Sequence, residues 1–150
     1  MIRPTVPQDL VDFVPMMRED DRLEVEAITG LDPLSSLAIG LFHSDACMTG
    51  FAVDGSLAGI MGVVPIVPRQ IGSIWFLSTE AVVKHRRQLL TEARVWLDEQ
   101  QALYPVLTNV VSVRNEVHKR LLKHLGFTFL EPIDNYGAGR IRVIPFERKR

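Results

Sequence analysis

The chain has 150 residues, 47% of them hydrophobic and 23% charged, which suits one compact domain and is too apolar for a disordered one. Seventeen Lys and Arg against eighteen Asp and Glu leave a net charge of −1, so no overall basic field exists to hold nucleic acid. No apolar run approaches the ~18 residues of a membrane span, and the opening Met1–Pro7 has no stretch of signal-peptide length. Cys47 is the single cysteine and has no partner for an internal disulfide, which fits a reducing compartment. The expectation is one soluble, intracellular domain over residues 1–150.

Ile2 to Val6 is short and β-capable. Leu10, Phe13, Val14 and Met17 recur at helical spacing, with Pro15 placed to bend or end that helix. Glu19, Asp20 and Asp21 then open a second helix whose apolar positions are Leu23, Val25, Ala27 and Ile28, and Thr29-Gly30 stops it. Asp32-Pro33 restarts a helix as N-cap and first helical residue, with Leu34, Leu37, Ala38 and Leu41 as the expected buried stripe.

From Ala46 the pattern turns to strands. Cys47–Val53 and Leu57–Pro65 flank Asp54-Gly55, a dipeptide that supplies the positive φ of a tight hairpin. Ile71–Leu77 makes a fourth strand, and a long helix follows to Leu103 with Leu89, Leu90, Ala93, Trp96 and Leu97 on one face. Val106–Val113 reads as a central strand covered on both faces. Asn115–Leu125 is a helix with Val117, Leu121, Leu122 and Leu125 inward, stopped by Gly126. Phe127–Leu130 and Arg140–Phe146 supply two closing strands. The expected order is β-α-α-(α)-β-β-β-α-β-α-β-β. Its strand-helix-strand crossover demands a parallel pair inside an otherwise antiparallel sheet, with helices on both faces.

This order resembles the GNAT (Gcn5-related N-acetyltransferase) fold, and the sharpest support is Asn115 followed eleven residues later by Gly126-Phe127. Ile2-Arg-Pro-Thr5, Met17-Arg18…Asp20…Glu24 and Gly30-Leu-Asp-Pro33 also resemble a tailed-phage, GNAT-like group similar to the internal virion protein A of T7-like phages. So do Ile74–Thr79, His85-Arg-Arg87, Tyr104–Leu107 and Arg114-Asn115. The resemblance implies an α/β GNAT-like fold with a mixed, mostly antiparallel sheet, and a phage origin.

GNAT enzymes hold the acetyl-CoA diphosphate on a glycine-bearing loop at the start of the helix after the fourth strand, where bare backbone N–H groups reach the phosphates. The matching stretch here is Thr79–Leu90. Ala81 takes the Arg/Gln position, and Lys84 and Arg86 stand where glycines are expected. Leu122 occupies the position of the tyrosine that protonates the leaving thiolate in many of these enzymes, and leucine has no proton to give. Glu80 and His85 lie near the fourth strand and can exchange protons; an ordinary surface role competes with that reading. Lys84, His85, Arg86 and Arg87 read as a solvated basic turn or one pairing with Glu80 and Glu92, as a side-chain phosphate clamp, or as a protein or nucleic-acid contact. His43, His118 and His124 have no metal-ligand spacing with Cys47.

The favoured reading is a phage-encoded GNAT-fold protein that works by binding, as a virion-associated or assembly component or against a host protein, located in the virion or host cytoplasm. In the alternative it is an acetyl-CoA-dependent N-acetyltransferase. The family resemblance then has backbone near Leu77, Ser78 and Thr79 holding the pantetheine arm and Lys84, His85, Arg86 and Arg87 gripping the diphosphate, with Asn115 opening the next helix. Val82, Val83 or Trp75 turned inward would plug the wedge between the two parallel strands. Arg140, Arg142, Arg148, Lys149 and Arg150 are expected to form a frayed, solvated end.

Overall fold

Asp54-Gly55 turns the chain back on itself as its sequence requires, with Gly55 at φ 84° between β2 (Ala46–Phe51) and β3 (Leu57–Val67). In the computed structural model, which describes residues 1–150, β3 leads into β4 (Ile71–Ser78) to complete an antiparallel meander, and β1 (Ile2–Pro4) pairs with the outer edge of β2. The chain then crosses over to β5 (Val106–Ser112), which lies parallel to β4, and the sheet is completed by β6 (Thr128–Phe129), β7 (Ile133–Tyr136) and β8 (Ile141–Lys149). The strand order is β1-β2-β3-β4-β5-β8-β6, with β7 also on β8. The sheet is mixed and mostly antiparallel, with helices on both faces.

One face carries α1 (Pro7–Phe13), α2 (Glu19–Thr29) and α3 (Pro33–His43), whose Leu10, Phe13 and Leu37 bury against Leu57, Ile60 and Leu77. Pro15 ends α1 at Phe13, and a 3-10 turn over Val14–Met16 follows. The opposite face carries α5 (Arg86–Leu103) and α6 (Glu116–His124), where Trp96, Leu97, Leu122 and Leu125 pack on Met61, Val63, Leu107 and Phe146. Trp75 lies flat across Gly62, where a Cβ would stand 2.6 Å from the indole, so only glycine lets this ring cover the strand.

Several expectations change. The long helix after β4 is broken: a single turn, α4 (Ala81–Lys84), ends at His85, which leaves helical geometry as its Nε2 meets Asp54 Oδ2 at 3.2 Å on the β2–β3 turn. One additional strand, β7, arises because Glu131-Pro132 interrupts the edge strand, so β6 and β7 pair with β8 as two pieces. The C-terminal end is not frayed. Its apolar alternation stops at Phe146, but backbone pairing with β5 continues through Lys149, and Arg148 binds Asp98 at 2.5 Å. In α3, Asp32 caps as expected by accepting from Ser35 N–H at 3.0 Å, yet Leu34 and Ala38 face outward and Leu37 alone of the expected stripe is fully buried. In α2 the buried residues are Asp21 and Glu24, while Leu23 is exposed.

Candidate functional site

β4 and β5 are registered over only three pairs, Ile71–Val106, Gly72–Leu107 and Ser73–Thr108, and then part. Strand edges that part this way leave N–H and C=O groups needing other partners. At the fork, Asn109 Nδ2 donates to the Ile74 carbonyl at 2.7 Å. Farther out, α2 supplies the partners.

Arg18, the N-cap residue of α2, and Asp21 and Glu24 within the helix are spaced three apart, so they line up on one side, and all three are buried. Asp21 is saturated. Its Oδ2 accepts from the Ser78 N–H and the Ser78 hydroxyl, both at 2.9 Å, and its Oδ1 accepts from Asn115 Nδ2 at 2.8 Å and Arg18 at 3.2 Å. The Arg18 N–H donates to the Ser78 carbonyl at 2.9 Å, so both backbone polar groups of Ser78 are spent on α2 and the residue before it. Across the gap, Glu24 Oε1 accepts from the Ser112 N–H of β5 at 2.5 Å. The outer mouth of the wedge is thus crossed by the Asp21 and Glu24 carboxylates and the Arg18 backbone N–H, all from the N-terminal third of the chain. The other end of α2 is equally fixed, because the β7–β8 loop donates the Ala138 and Gly139 N–H groups to the Ile28 and Ala27 carbonyls at 3.3 and 2.7 Å.

His118 completes the cluster from α6. Its Nδ1 lies 3.5 Å from Glu24 Oε2 and 4.0 Å from Asp21 Oδ1, distances of charge attraction rather than hydrogen bonding. Burial, the largest single influence, opposes its protonated form. The Glu24 and Asp21 carboxylates together outweigh burial and the nearby Arg18, so His118 titrates above an ordinary histidine. Between that crossing and the fork the wedge stays open: a cavity of about 190 Å³ is lined by Ile74–Leu77 of β4, Asn109 and Val110 of β5, Leu37 of α3, and Glu24 and His118.

The cationic turn at α4–α5 is built differently. Lys84, Arg86 and Arg87 are exposed around a broad, shallow hollow. The expected pairing with Glu80 and Glu92 does not form: Glu80 lies 3.8 Å from Arg18, and Glu92 holds the Met1 amino group at 2.9 Å. His85 is the one member with a partner, Asp54, whose pKa falls to about 2 chiefly through bonds from Ser56 and also through His85. Wherever a glycine would bare the backbone for a phosphate, a long side chain stands.

Leu77 is buried in the α1–α3 core, Ser78 is bound by Asp21, and the Thr79 hydroxyl donates to the Leu57 carbonyl at 2.7 Å. Asn115 does cap α6, accepting from His118 N–H at 3.4 Å while donating to Asp21. The geometry therefore gathers Ser78 and Asn115 at the wedge and leaves Lys84–Arg87 outside it. Val83 is exposed, Val82 is half-buried, and Trp75 packs toward α3 with its Nε1 on Ser44 at 3.0 Å; none of the three is the plug. Leu122 is fully buried. The Tyr104 hydroxyl is spent on Asp45, and burial first, then that carboxylate, pushes its pKa up to about 12. Arg18, Asp21, Glu24, Ser112 and His118 were missed as site residues. Their signal was a three-residue polar repeat on a helix with no clean apolar stripe.

A parallel pair splayed within this strand order, with a helix on each side of the fork, defines the GNAT fold. The chain superposes on a spermidine N-acetyltransferase from Vibrio cholerae with a TM-score of 0.70 and 14% identity, covering 99% of this chain and 94% of that one. A ribosomal-protein-alanine N-acetyltransferase from Brucella melitensis gives 0.69 and 18%, covering 100% and 99%. A GCN5-related N-acetyltransferase from Kribbella flavida gives 0.68 and 18%, covering 100% and 97%. At these identities the likeness is one of fold. Residues 60–133 match a family model described as "Bacteriophage T7, probable scaffold protein Gp13". No curated protein matches the chain.

Proposed function

We propose that this chain is a phage protein that uses a GNAT fold for binding, as a virion-associated or assembly component or against a host protein. The observation that carries the reading is the crossing of the wedge's outer mouth by α2. A pantetheine arm needs free backbone groups along the parting edge of β4, and here both groups of Ser78 are bonded to Asp21 and Arg18. The facing Ser112 N–H is held by Glu24. Freeing them would leave buried carboxylates without partners, a cost of several kcal/mol.

The phosphate end departs from the acetyl-CoA pattern as well. Lys84 and Arg86 replace the glycines of the phosphate loop, and no tyrosine stands at the position of Leu122. The match to a phage scaffold family over residues 60–133 supports the phage assignment. Fold alone does not bring catalysis with it.

The test is mass spectrometry of gradient-purified phage particles, together with tagged-chain pull-downs from infected cells. The reading expects the chain in stoichiometric amounts in particles, or in a reproducible complex with one phage or host protein. Absence from both would overturn it.

A further inference from the structure

The charges of this near-neutral chain are segregated. Residues 1–45 hold three Arg against nine Asp and Glu, whereas residues 80–150 hold thirteen Lys and Arg against eight Asp and Glu. The fold places these segments on opposite faces of the sheet, α1–α3 on one and α5–α6 on the other.

On the acidic face, α3 packs between α1 and α2 and has no charged residue from Pro33 to Leu41. Its outer ridge is apolar: Leu34, Ala38 and Phe42 form one row four residues apart, with Ile39 beside them. Phe42 is 83% exposed, the most of any large hydrophobic side chain in the protein. Asp32 and Asp45 stand at the two ends of this ridge and Asp12 on neighbouring α1; all three are exposed and none meets a cation. On the other face, Lys84, Arg86 and Arg87 are exposed around the hollow with Val83, and none of them meets an acid. Carboxylates without a cationic partner border an apolar knob, and three cations without an acidic partner border a hollow that Glu92, bound to the Met1 amino group, also lines.

We infer that the chain self-associates head to tail, the α3 ridge of one copy seating Phe42 in the cationic α4–α5 hollow of the next. The two patches never meet within one molecule. The ridge ends beside the start of β2, where Asp45 N–H bonds Val63, whereas the hollow adjoins the β2–β3 turn through His85 and Asp54. They occupy opposite faces and opposite ends, so the complement of each is another copy. A phenylalanine ring against guanidinium and ammonium groups adds cation–π attraction to the Coulombic match. Because donor and acceptor surfaces differ and point in nearly opposite directions, the contact is heterologous and propagates as an open chain rather than closing as a two-fold dimer. The inference stands apart from whether acetyl-CoA binds.

The test is sedimentation velocity on the full chain across a concentration series. At ~50 mM salt the weight-average mass rises with concentration, and at ~500 mM salt the association weakens about tenfold as the charges are screened. F42S stays monomeric, and so does the triple variant K84E/R86E/R87E. Mixed in equal amounts, the two form dimers and nothing larger, because one intact ridge and one intact hollow remain. That complementation also reports that both variants are folded. A wild-type chain that stays monomeric at ~50 mM salt, either variant associating like wild type, or a mixture that stays monomeric would each overturn the inference.

Discussion

Two charged regions flank the same stretch of β4, and they have opposite fates. Arg18, Asp21 and Glu24 are buried, and each has a named partner on β4, β5 or α6. Lys84, Arg86 and Arg87, one turn beyond Ser78, are exposed and have none. The difference teaches where the charge of this fold is committed. The buried set substitutes for the missing strand pairing of the fork, so it belongs to the fold and its removal is costly. The exposed set holds nothing inside the molecule, and cations at a helix start are opposed by the helix dipole, so only something outside can compensate them.

The comparison breaks most sharply at Asp21. D21A strands Arg18, the Ser78 N–H and Asn115 Nδ2 in the interior, and urea denaturation should show a loss of about 3–5 kcal/mol. E24Q removes the charge that faces His118 while keeping the acceptor for Ser112, with an expected loss of about 2 kcal/mol near neutral pH. It also sharpens the pH dependence. His118 has a raised pKa in the fold, so its contribution is full below the free-histidine value of about 6.5 and is lost as pH climbs through the raised value. Wild-type stability therefore falls across that window, and E24Q flattens the fall. N115A removes both a helix cap and a bond to Asp21, for about 1–2 kcal/mol. The smallest effect is the contrast itself: K84Q/R86Q/R87Q leaves the melting midpoint unchanged or slightly raised.

Much of the fold was legible in the residues alone. The Asp54-Gly55 hairpin, the Asp32-Pro33 helix start, the parallel crossover and the Asn115 cap all follow from local chemistry that tertiary packing did not contradict. At Leu34 and Ala38 the apolar spacing predicts burial, whereas α3 presents part of its apolar surface outward and α2 is anchored by carboxylates. A buried polar cluster has no periodic signature of its own, since its value depends on strand-edge amides that only the assembled sheet reveals. His118 is the plainest case: the same helix exposes His124 to solvent and buries His118 against two acids. The glycine-loop departure at Lys84 and Arg86 was readable, but the stronger obstacle at Ser78 was not, because the residue that occupies it lies 57 positions earlier.

Whether the crossing of the wedge by α2 bars the coenzyme is tested most directly by thermal unfolding with and without acetyl-CoA. A ligand present at about 100 times its dissociation constant adds about 2.7 kcal/mol, which is roughly 5–10 °C for a chain of this size. With α2 in place, the melting midpoint should not move at ~1 mM acetyl-CoA. A saturable upward shift of that magnitude would contradict the reading that α2 bars the coenzyme from the wedge.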